Sequence, residues 1–157
     1  FFGAPWHPLL PGTIRRILRF ANIRPGETIC DLGCGEGRVL ITSAKEFFTR
    51  AIGVEIDPIK VVIARLLARI NGDSDRVQIV RGNMFDFDPG SADVLYLYLT
   101  HQAMDRLFPE ILKKLKPSVR IVSYRFCLRG MTPDKVSEDK TLFLYQLDKG
   151  TKINTYH

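Results

Sequence analysis

Asp31-Leu32-Gly33-Cys34-Gly35-Glu36-Gly37 is the stretch that decides how this chain is read. It follows a short apolar run, Glu27 to Leu32, that reads as a buried strand. It precedes a helical pattern from about Glu36 to Phe48. Three glycines at alternate positions let the backbone turn tightly and approach a ligand with no Cβ in the way. A glycine turn can also do no more than join strand to helix, so the loop alone does not establish a binding site.

Outward from the loop, apolar runs alternate with helical patterns. Residues 12–21 carry Ile14, Ile17 and Leu18 at helical spacing and predict a first helix, followed by a turn at Arg24-Pro25-Gly26. Ala51 to Ile56 predicts a second buried strand. Asp57 then reads as a helix cap, with Pro58 at the first helical position. That helix is expected to stop at Asn71-Gly72. Further strands are expected at Val77–Val80, Ala92–Leu99, Val119–Phe126 and Thr141–Leu147, with a helix over 101–115 ending before Pro117. The stretch 129–140 looks the least ordered. Strands alternating with helices imply an α/β fold whose mostly parallel sheet is covered on both faces. Ligands of such sheets bind beyond the carboxyl ends of the strands, where the glycine loop falls.

A second motif sharpens the reading. Gly53-Val54-Glu55-Ile56-Asp57 places a carboxylate at the end of the second strand, 24 residues after Asp31. An acid there can accept both ribose hydroxyls of an adenine nucleoside. The loop is G-x-G-x-G rather than the dinucleotide fingerprint G-x-G-x-x-G, and acids at Asp31 and Glu36 flank it. An acidic entrance suits a ligand with an ammonium and a sulfonium better than one with a pyrophosphate. The charge argument therefore favours S-adenosylmethionine over NAD. Arg81-Gly82-Asn83-Met84-Phe85 adds Asn83, placed for the adenine amino group, and Met84 or Phe85 either to flank the ring or to join the core. The cofactor set is then Asp31, Gly33, Cys34, Gly35, Gly37, Glu55, Ile56, Asn83 and Met84.

At 157 residues the chain suits one domain, with residues 1–22 supplying an amino-terminal segment and first helix that cover the site. Its 45% apolar and 25% charged residues match a soluble globular protein. No apolar run reaches the roughly 20 residues that span a bilayer. The sequence starts at Phe1, which reads as a trimmed start and leaves any upstream membrane anchor out of sight. Cys30, Cys34 and Cys127 are odd in number and lack zinc spacing, which points to reduced thiols and a cytoplasmic setting. The scattered His7, His101 and His157 make a metal site improbable. The net charge of +6 admits nucleic acid, an anionic membrane or an acidic protein as partner. Arg15, Arg16 and Arg19 on one helix, and Lys60, Arg65 and Arg69 on another, read as solvated helix faces.

Taken together these residues resemble a known group, the seven-β-strand protein-lysine methyltransferases of archaea with bacterial and mitochondrial relatives. Asp31 to Arg38 and Gly53 to Ile56 mark the wider methyltransferase superfamily. The narrower likeness rests on Gly3-Ala4-Pro5-Trp6-His7-Pro8, Leu97-Tyr98-Leu99, and Arg120-Ile121-Val122-Ser123-Tyr124-Arg125-Phe126. Leu9-Leu10 stands where the group usually has Thr-Pro, and Tyr124 where it usually has His. The resemblance implies a Rossmann-like three-layer fold with an antiparallel last strand. It also implies methyl transfer to protein lysine, with S-adenosyl-L-homocysteine as product.

Transfer from a sulfonium depends on alignment more than on proton movement. Trp6, Tyr98 and Phe126 are the candidates for an aromatic channel that holds the acceptor amine, although Trp6 and Tyr98 read equally well as packing residues. His101 is a weaker candidate base. Two other readings stay open. The basic charge suits an RNA methyltransferase, though Tyr98-Leu99-Thr100-His101 lacks the Asn/Asp-Pro-Pro-aromatic signature that grips a base amine. A cofactor-binding module without catalysis is the third.

Overall fold

The computed structural model describes residues 9–147. Trp6, and the Gly3–Pro8 segment that contains it, lie outside the described residues. The elements run α1 (Pro11–Phe20), β1 (Thr28–Leu32), α2 (Arg38–Phe47), β2 (Arg50–Glu55), α3 (Pro58–Ile70), β3 (Val77–Arg81), β4 (Val94–Leu97), α4 (His101–Leu112), β5 (Arg120–Tyr124), β6 (Lys135–Val136) and β7 (Leu142–Gln146).

All strands share one sheet in the order β3-β2-β1-β4-β5-β7-β6. The five from β3 to β5 are parallel, and β7 and β6 are antiparallel. The chain winds outward from β1 through β2 to β3, then crosses to β4 on β1's other side. The direction of winding therefore reverses between β1 and β4, where such sheets open a crevice.

Alternation along the strands gives each face its own core. Ile29, Val94, Tyr96, Val122 and Leu144 pack on one face with Ile17 and Leu18 of α1, Leu40 and Ala44 of α2, and Val61 and Ala64 of α3. Cys30, Leu95, Leu97, Ile121 and Tyr145 pack on the other with Met104, Leu107 and Ile111 of α4. Both faces are covered, but unequally, with three helices on one and a single helix on the other. No helix joins β3 to β4. The connecting loop instead lays Met84, Phe85 and Phe87 on the second core.

The caps are those read from the sequence. Asp57 Oδ1 accepts the Ile59 N–H at 2.9 Å, Pro58 opens α3, and Gly72 follows it at φ +75°. Several boundaries differ. β4 ends at Leu97 and β5 at Tyr124, each two residues before its apolar run does, so Tyr98 and Phe126 lie just past strand ends. An apolar run reports burial, and burial here continues where ladder pairing has stopped. α2 starts at Arg38 rather than Glu36, because the loop keeps left-handed backbone through Gly37 (φ +76°). α4 ends at Leu112, short of the expected 115, and contains Pro109, whose ring deprives the last turns of a donor. The stretch expected to be least ordered contains β6, whose exposed residues are held by pairing with β7.

The outer face of α3 departs from the solvated, charged face expected of it. Lys60, Arg65 and Arg69 flank that face rather than fill it, and its centre is aliphatic.

Gly53 lies beneath the glycine loop. A Cβ there would meet Leu40 Cδ1 at 2.4 Å, Cys34 Sγ at 2.7 Å and Cys34 Cβ at 2.8 Å, so only glycine lets the loop close onto β2. Gly53→Ala is expected to lower stability by about 1–3 kcal/mol in urea unfolding, the usual effect of overpacking. Unchanged stability would show that the loop does not seat on this position.

Candidate cofactor cleft and active site

The cleft starts from the loop's backbone. Gly33, Gly35 and Gly37 have φ of +79°, +57° and +76°, the left-handed region that side chains disfavour. The loop is pinned to the end of β2. The Gly33 and Cys34 N–H groups both donate to the Val54 carbonyl, at 2.9 and 3.0 Å. The Glu55 carboxylate continues the clasp. Its Oε1 accepts the Gly35 N–H and its Oε2 the Asp57 N–H, both at 2.9 Å. A carboxylate oxygen has two acceptor positions, so each keeps one for a ligand. Glu55 thus does two tasks: it fixes the loop and presents two acceptors beside it.

Asp31 lies on the floor of the cleft, 4% exposed. Burial, and then the charge of Glu55, push its carboxyl from the ordinary 3.8 up to about 8. Below that pH Asp31 is largely neutral in the free protein, and a nearby cation would draw it into its charged form. The acidic entrance read from the sequence is accordingly reshaped. Asp31 is interior rather than at the mouth, and Glu36 is answered by Arg38 at 3.1 Å.

Cys34 turns into the core over Gly53, and burial pushes its thiol pKa well up, as it does that of Cys30. The two thiols are free and serve as small packing groups, Cys30 in one core and Cys34 in the other. Ile56 follows Glu55 half-buried at the mouth. Asn83 Oδ1 accepts the Phe85 N–H at 3.0 Å, which closes a small turn and leaves that oxygen one acceptor position. Met84 is 6% exposed within the second core, so of its two sequence readings the structure favours packing.

The crevice wall past β4 and β5 is aromatic. Tyr98 and Tyr124 stand with ring centroids 5.1 Å apart. The Arg125 guanidinium lies 5.2 Å from the Tyr124 ring centroid, on a residue with φ +68°. Ser123 Oγ donates to the Phe126 carbonyl and anchors the turn. Phe126 meets His101 edge-on at 5.2 Å. The structure thus gathers Tyr98 and Phe126 at one edge, but on different neighbours.

Sequence reasoning passed over Tyr96. It is the register partner of Asp31 across the switch point, it is 2% exposed, and its buried hydroxyl has no hydrogen-bond partner. Burial, then the charges of Asp31 and the neighbouring tyrosines, hold that hydroxyl protonated. The signal was present in Tyr96 and Tyr98, which alternate onto one face of β4. A mid-strand tyrosine nevertheless reads as core. His101 Nδ1 is also buried and without a partner.

Comparison with known proteins decides the family. The ANTKMT methyltransferase domain matches residues 31–135. The chain belongs to that family. This methyltransferase is 36% identical over 148 residues to a protein-lysine N-methyltransferase of Saccharolobus islandicus, covering 90% of this chain and 92% of that one. It is 24% identical to an ATP synthase lysine N-methyltransferase of Xenopus laevis, over 96% of this chain and 66% of the relative. Among solved structures, an RNA methyltransferase from Salinibacter ruber in complex with S-adenosyl-L-homocysteine superposes with a TM-score of 0.87. The two are 30% identical, with 91% of this chain and 95% of that chain covered. The Rossmann-like methyltransferase fold expected from the sequence is thus the observed one.

Asp31 makes the stability of the free methyltransferase depend on pH. Its folded pKa lies above the unfolded one, so the folded state holds the extra proton and loses stability as pH rises from about 4 to about 8. Asp31→Asn removes that slope. In urea midpoints between about pH 5 and about pH 8, the variant is expected to gain on the wild type as pH rises. Parallel profiles would contradict a buried, protonated Asp31.

Proposed function

We propose that this methyltransferase carries a methyl group from S-adenosylmethionine to the side-chain amine of a protein lysine, leaving S-adenosyl-L-homocysteine. The observation that carries the reading is the near full-length identity with a protein-lysine N-methyltransferase. The Xenopus relative also acts on a lysine, by its name. When bound, S-adenosylmethionine supplies an electrophilic methyl on a sulfonium.

The residues present fit that cofactor. Glu55 offers two remaining acceptors for the ribose hydroxyls, Asp31 offers a charge for the ammonium, and the bare loop from Gly33 to Gly37 offers close backbone approach. Ile56 lines the mouth, and Asn83 keeps an acceptor for the adenine amino group. Cys34 contributes through its backbone.

Lysine must be neutral to attack, and its ordinary pKa is about 10.4. Aromatic walls disfavour the ammonium and lower that value. Tyr98 orients the amine's lone pair through its hydroxyl, and Phe126 excludes water from the approach. Trp6 is proposed for the same lining. None of these side chains has to form a covalent bond, because alignment carries most of the rate.

RNA is the second reading, favoured by the +6 charge and by the name of the Salinibacter ruber protein. Against it, Tyr98-Leu99-Thr100-His101 stands where base-amine methyltransferases place Asn/Asp-Pro-Pro-aromatic. Incubation with isotopically labelled cofactor and a cell extract separates the two. Label removed by protease and recovered on lysine is expected; label removed by ribonuclease would overturn the lysine reading.

Glu55→Ala should weaken cofactor binding about 10- to 100-fold by calorimetry, since charge-assisted bonds are lost. Unchanged affinity would remove Glu55 from the site. Tyr98→Phe should lower kcat about tenfold while cofactor affinity stays within about twofold. Equal loss of both would move Tyr98 into the cofactor pocket.

A further inference from the structure

The outer face of α3 is unusual for a helix packed on the edge of a sheet. Its inward face is made of small residues, Val61, Ala64 and Ala68. Its outward face carries the large ones: Ile59 is 70% exposed, Val62 63%, Leu66 54% and Ile70 71%. Positions 59, 62, 66 and 70 are three or four apart, so they form one continuous stripe along the helix. Single exposed aliphatic residues need no explanation, but a contiguous set marks an interaction surface.

Charge identifies what covers it. Arg65 and Arg69 lie exposed on one side of the stripe, and Lys60 lies half-buried on the other. The guanidinium of Arg65 also holds the Ile79 carbonyl at 2.8 Å, which ties α3 to β3. No acid stands within the stripe, and Asp57 at the helix start is occupied as its cap. An aliphatic centre with cationic borders complements a bilayer surface, with apolar side chains entering the acyl boundary and cations meeting anionic headgroups. A nucleic acid would leave the aliphatic centre without a partner. A second copy would bring like-charged borders and two +6 chains together.

We propose that α3 is a peripheral docking surface for anionic lipid bilayers. Among the described residues no helix is long and apolar enough to cross a membrane, so the contact is one of lying on the surface. The stripe starts at Ile59, four residues after Glu55, so docking places the cleft mouth near the lipid surface.

The test is co-sedimentation of the full chain with vesicles of phosphatidylcholine mixed with phosphatidylserine, and with vesicles of phosphatidylcholine alone. Binding to the mixed vesicles that weakens with salt and is much lower on the neutral ones is expected. The double variant Leu66→Ser with Ile70→Ser should bind at least about tenfold more weakly. Lys60→Gln and Arg69→Gln should each cost about fivefold on the mixed vesicles only. These positions are at the surface, so melting temperature and methyl-transfer activity in the absence of lipid should remain as in the wild type. No binding to either vesicle, or binding indifferent to the double variant, would overturn the proposal. So would sedimentation as a dimer that the double variant makes monomeric, which would assign the stripe to a second copy.

Discussion

The end of β2 holds the site together. Val54 gives its carbonyl to two consecutive loop N–H groups, and Glu55 gives its carboxylate to the Gly35 and Asp57 N–H groups. A loop with three left-handed residues has little reason to keep one shape by itself, because glycine carries the largest conformational entropy. These four bonds supply the reason. They depend in turn on Gly53, whose missing side chain is the space that Cys34 and Leu40 occupy. Cofactor recognition and packing therefore share the same residues, and the acid that meets the ribose is also a structural brace.

The second constraint is the reversal between β1 and β4. It sets Asp31 beside Tyr96 and opens the crevice between the loop and the aromatic strand ends. One side of the crevice is built from backbone and carboxylates, the other from tyrosine and phenylalanine. That division separates the two tasks of a methyltransferase. Charge and hydrogen bonds hold the donor, while an apolar wall strips water from the acceptor.

Much of this was legible before any coordinates. Asp57, Pro58 and Gly72 bracket α3 by cap chemistry, which is local and so is written in the residues themselves. Gly33, Gly35 and Gly37 announced the loop, and Glu55 announced its partner. What escaped was non-local. Lys135 and Val136 form a strand only because β7 lies beside them. Tyr98 and Phe126 extend apolar runs past the ladder, so the pattern overstated both strands. Tyr96 looked like core because burial alone gives no sign that its hydroxyl lacks a partner. Met84 went the other way, a core residue beside a binding motif. The aliphatic stripe of α3 was hidden because its helix is apolar on both sides, and sequence does not say which side the sheet takes.

The central claim is that the Gly33–Gly37 loop and Glu55 form one cradle for an adenosyl ligand. A crystal structure of the protein with S-adenosyl-L-homocysteine tests it most directly. The account requires both ribose hydroxyls within hydrogen-bond distance of the Glu55 carboxylate, with the loop backbone against the ligand. A ligand bound elsewhere, or a ribose that leaves Glu55 untouched, would contradict it.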